Sequence, residues 1–83
     1  MFLHIGGDNA VSLEELVAIL DLETTKREAT KEFLSFAADE KMVVHIGKRE
    51  REKSIIITSN RIYLSPISAP TLLKRSLLQE ATL

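Results

Sequence analysis

Three runs of β-branched and aromatic residues, MVVHI, SIIIT and RIYLS, crowd into residues 42–65. Such side chains suit a pleated, half-buried surface, so this half of the chain is built for a sheet. Only Ser59 and Asn60 separate SIIIT from Arg61 at the head of RIYLS, the composition of a two-residue hairpin turn. The three runs together are expected to form an antiparallel set. That sheet has few sources of further support, because a chain of 83 residues has room for one core and contains no Cys. Neither a disulfide nor a thiolate metal site can supplement the core, and a cytoplasmic location is the natural expectation. Self-association is the remaining source of buried area.

The first half supplies more elements. MFLHIGG alternates as a short strand does, and GGDN is turn chemistry for a tight hairpin. In AVSLEELVAILDLE, Ser12 and Glu15 have capping-box spacing, while LVAILDL is an apolar run of strand length. A strand over 16–21 is the favoured reading. Thr25 and Glu28 form a cleaner capping box, and Ala29, Phe33, Phe36 and Ala37 fall on one helical face. These predict a central helix over about 25–41, with Lys26, Lys31, Glu32, Asp39 and Glu40 turned to water. After the strands, Ser68 is placed to cap and Pro70 sits in a first turn, which predicts a C-terminal helix over about 69–80. Its leucines, Leu72, Leu73, Leu77 and Leu78, spread too widely round the axis for one core-facing stripe, and are expected to serve an oligomer interface. With no repeat, linker or composition shift, residues 1–83 are read as a single small α+β domain.

Residues for catalysis are sparse. His4 and His45 are the only histidines, both in predicted strands and neither with a second metal ligand at helical or hairpin spacing. They are expected to be partly buried strand residues. Ser12, Ser65 and Ser68 lack a nucleophile-elbow context, and GGDN has no Lys-Ser/Thr pair to make a phosphate loop. No enzyme activity, cofactor, metal or small-molecule substrate is expected. The N-terminus does not have the form of a signal peptide, and no apolar run of spanning length occurs, so no membrane partner is expected either.

The formal net charge of −1 conceals an uneven distribution. Residues 1–41 hold four Lys/Arg against nine Asp/Glu, a net of −5, and residues 42–83 hold seven against three, a net of +4. Four of the seven cations, Lys48, Arg49, Arg51 and Lys53, fall in GKREREK. As an extended strand this stretch would set Arg49, Arg51 and Lys53 on one side, about 6.8 Å apart, with Lys48, Glu50 and Glu52 on the other. An elongated polyanion could then meet several cations at once. The competing reading is a solvated edge whose charges discourage unwanted strand pairing. Since tight duplex binding takes roughly six to ten phosphate contacts, a basic arm of this size requires several copies in an oligomer.

GKREREKSIIIT followed by RIYLSPISAPTLLKR, together with HIGG, the VS pair and AILDL, resembles the Rem family of small bacterial extracellular matrix regulators (RemA/RemB), most closely its RemB-like branch. The likeness runs from about Phe2 to Arg75. It implies a cytoplasmic, DNA-binding transcriptional regulator of biofilm matrix genes that works as a ring-like homo-oligomer. The Arg-rich run of RemA-like relatives falls on Lys48, Arg49, Arg51 and Lys53, which become candidate contacts to the backbone of double-stranded DNA, with Lys74 and Arg75 as secondary candidates. Where those relatives tend to have Thr this chain has Glu50 and Glu52, and where they have a further Arg it has Glu15. These departures imply weaker DNA affinity or dependence on a partner. The alternative function, from a different class, is an oligomeric protein-interaction adaptor whose basic arm meets an acidic protein surface.

Overall fold

In the computed structural model, residues 1–23, 28, 31, 32, 35 and 42–81 are described. Two sheets and a helix organise them. Strands β1 (Phe2–Gly6) and β2 (Asn9–Ser12) form an antiparallel hairpin, and β3 (Leu16–Asp21), β4 (Val43–His45), β5 (Ser54–Thr58) and β6 (Ile62–Ser65) form a four-stranded sheet in the order β3-β5-β6-β4. Helix α1 (Ala69–Ala81) closes the domain and packs against β3 and β1. The α+β class, the strand over 16–21, the β5–β6 hairpin and the C-terminal helix are as the sequence predicts.

Three successive isoleucines in β5 mark a central strand covered on both faces. Ile56 points into one cluster with Leu3, Ile5, Val11, Ile46 and Leu72. Its neighbours Ile55 and Ile57 point the other way, toward Ile62, Leu64, Val43 and Leu22. Strand alternation requires this division, and a strand buried on both sides reads as a continuous apolar run. Buried hydroxyls then join the layers: Ser65 Oγ donates to the carbonyl of Ile5, and Ser54 Oγ to that of Ile67 at 2.7 Å.

Local signals explain the ends of the elements. Gly6 has φ of 125°, a conformation that side chains resist, and it opens the turn that returns β2 along β1 with Gly6 opposite Asn9. Ser12 does not start a helix. Its hydroxyl accepts from the Glu14 N–H and its carbonyl from that of Glu15, a turn that feeds β3. At the other end of the chain, Ser68 Oγ accepts the Thr71 N–H at 3.4 Å and Leu72 N–H reaches the Ser68 carbonyl, the N-cap its position predicts.

The structure revises three expectations here. MVVHI does not complete an antiparallel set, because β4 pairs with β6 in parallel. The reason is the order of strands: β6 inserts between β4 and β5, so the 46–53 connection crosses its end and reverses direction. Leu72 is not available to an interface, being fully buried in the core between α1 and the strands, whereas Leu73, Leu77 and Leu78 are 46%, 64% and 57% exposed. His4 and His45 are exposed rather than half-buried. Of the central helix, Glu28, Lys31, Glu32 and Ser35 are helical and exposed, at spacings that share one helical face. Thr25, Lys26, Ala29, Phe33, Phe36, Ala37, Asp39 and Glu40 lie outside the described residues. No helix among the described residues is long and apolar enough to cross a membrane.

Candidate nucleic-acid interface

Residues 46–53 carry the basic stretch across the end of β6. Ile46 enters it buried, with its N–H bonded to the Leu64 carbonyl at 2.9 Å. Gly47 then turns the chain with φ of 76°. Lys53 leaves it with its N–H on the Ser65 carbonyl at 2.8 Å and its own carbonyl accepting from Leu22 at 3.0 Å. The path to be covered is two strand spacings, about 10 Å. Six extended residues would reach about 20 Å, so 48–53 has slack to lose.

The slack is taken up as a single 3-10 turn over Arg49–Arg51, which replaces the extended arm expected from the sequence. Arg51 N–H bonds to the Lys48 carbonyl at 3.0 Å and Glu52 N–H to that of Arg49 at 3.2 Å. Side chains three apart come to the same side of such a turn, so the strand-like separation of cations from glutamates is lost. What remains is a compact knob. Lys48, Arg49, Arg51 and Lys53 are all exposed, and among the described residues no carboxylate of the chain holds Arg49 or Arg51.

The two glutamates of the knob differ. Glu50 is exposed, but the Glu52 side chain is only 12% exposed and its Oε2 lies 2.7 Å from Nδ1 of His45, the last residue of β4. An ionised carboxylate can only accept, so Nδ1 carries the hydrogen and donates it. Local spacing could not reveal this pair: the residues are seven apart, and they meet because the connection folds back over the strand end. Glu15 is also remote from the knob. Its carbonyl accepts from Ser59 N–H, beyond the far end of β5, about 17 Å along the strand from Ser54. That exceeds the roughly 8 Å over which surface charges act at physiological salt. Lys74 and Arg75 are exposed on α1, a different element. Among the described residues, no group of three His, Cys, Asp or Glu could hold a metal ion.

The model of the family described as extracellular matrix regulatory protein A-like, RemA-like, matches residues 2–76. The chain belongs to the RemA-like family. It is 36% identical over 76 residues to extracellular matrix regulatory protein B of Bacillus subtilis (strain 168), an alignment covering 92% of this chain and 90% of that protein. The family match spans both hairpins, the basic turn and the first half of α1 of this RemA-like chain.

Proposed function

We propose that the chain is a DNA-binding transcriptional regulator of extracellular matrix (biofilm) genes, acting from the cytoplasm as a ring-like homo-oligomer that presents its basic turns to the duplex backbone. The observation that carries this reading is the group of four exposed cations on one short connection, with Arg49 and Arg51 free of internal carboxylates among the described residues. Guanidinium groups offer planar paired donors to phosphate oxygens, and such contacts hold a protein on DNA without reading sequence. The kinship with an extracellular matrix regulatory protein supports the biological setting. Exposed Leu73, Leu77 and Leu78 on α1, with Val17 on the edge strand β3, supply apolar surface for self-association.

Counterion release sets the scale of the test. Four phosphate contacts per chain give a slope of log affinity against log salt of about −3.6, a loss of about 150-fold between 50 and 200 mM. Arg49→Ala with Arg51→Ala should reduce the slope by about 1.8 per chain engaged. Fluorescence anisotropy with a labelled duplex reads both values. If no saturable binding appears at low salt while light scattering reports an assembly, the chain is a protein-interaction adaptor instead.

A further inference from the structure

We infer that Glu52, acting through His45, is a positioning residue that holds the basic turn in its binding shape, so that a residue of the wrong charge supports anion binding. The inference deepens the DNA-binding reading and rests on it for its functional half. A three-residue 3-10 turn closed by two backbone hydrogen bonds has little stability of its own. Its entrance is a left-handed glycine, which imposes no side-chain restraint. Among the described residues, the side-chain link across it is the 2.7 Å contact between Glu52 Oε2 and His45 Nδ1, which ties the C-cap of the turn to the end of β4. Hydrogen bonds to an ionised carboxylate are among the stronger ones, and this carboxylate is largely withdrawn from water.

Two consequences separate Glu52 from Glu50. Facing inward, Glu52 directs its carboxylate at His45 and the end of β4, whereas Glu50 stands exposed among Lys48, Arg49, Arg51 and Lys53. Ordered in advance, the four cations lose less conformational freedom when they meet phosphates, which is the advantage of a preorganised site. The two glutamates are therefore not a uniform dilution of the patch. One glutamate weakens it and the other builds it.

The experiment compares Glu50→Ala, Glu52→Ala, His45→Ala and the His45→Ala/Glu52→Ala double variant, all in the full chain. Amide order parameters report the turn without DNA, and duplex anisotropy at fixed salt reports binding. In Glu52→Ala and His45→Ala the amides of Arg49–Glu52 should fall from about 0.85 to below about 0.6, while those of β5 stay rigid. Glu50→Ala should leave the turn rigid and tighten binding about threefold, the effect of removing a unit charge about 7 Å from a phosphate in water. Glu52→Ala and His45→Ala should each weaken binding, with the double variant no worse than either. The positioning role is overturned if the turn stays rigid in Glu52→Ala, or if that variant tightens binding as much as Glu50→Ala. If the turn loosens as expected but the unaltered chain binds no duplex, the link stands as a positioning device and the DNA reading alone falls.

Discussion

Replacing Leu72 by Ala should lower folding stability by about 3–4 kcal/mol, and the structure gives each part of that figure. Leu72 is fully buried, against Leu3 and Ile5 of β1, Val11 of β2, Ile56 of β5 and Ile46 at the start of the basic connection. Shortening Leu to Ala removes three carbons, about 2.4 kcal/mol at roughly 0.8 kcal/mol each. The walls belong to different elements tied into two sheets, so they cannot close fully on the space. A residual void on the order of 50 Å³ adds about 1.2 kcal/mol. A domain of this length has about 4–12 kcal/mol in total, so the loss would consume much of it. Urea unfolding followed by circular dichroism measures the change, ideally at two protein concentrations twenty-fold apart. The deficit should be the same at both, because the contacts lie within one chain. A loss below about 1 kcal/mol, or one that vanishes on dilution, would refute the placement of Leu72 in the core and return it to an interface between copies.

The other leucines of α1 should behave differently. Leu77→Asp with Leu78→Asp, at exposed positions, should leave the unfolding midpoint of dilute protein nearly unchanged while lowering the mass seen by light scattering; an unchanged assembly would remove this face of α1 from self-association. Gly6→Ala should cost on the order of 1–3 kcal/mol, since Gly6 has φ of 125° and an added Cβ would lie 3.2 Å from Cγ2 of Ile46. A thermal melt within a degree of the unaltered chain would contradict that. Ser68→Ala should cost about 1 kcal/mol through loss of the N-cap, and Ser68→Asp should restore most of it, as read by the same melt.

Elements with a local cause were legible in the residues. Ser59 and Asn60 close the β5–β6 hairpin because Thr58 N–H and the Arg61 carbonyl bond across them at 2.9 Å. Ser68 caps α1 by accepting the N–H of Thr71, three residues on, and LVAILD forms a strand that packs against the helix. The candidate cations were legible as a cluster of charge, but not their arrangement. Alternation is the right rule for a strand, yet residues 48–53 are a crossing with more chain than distance to cover, and they shorten into a turn. Glu52 and His45 carried no signal for the same reason, since their meeting depends on the path of the crossing.

Composition and spacing by themselves determined that this chain would make a small sheet-rich domain with a helix at its C-terminal end and its positive charge in the second half. Those features follow from side-chain shape, turn chemistry and capping, which act over a few residues. Tertiary structure decided which leucine is core, which way β4 runs and which glutamate faces inward. The first depends on α1 packing against β1 and β3, and the other two on β6 lying between β4 and β5, pairings of distant segments that no short stretch of residues encodes.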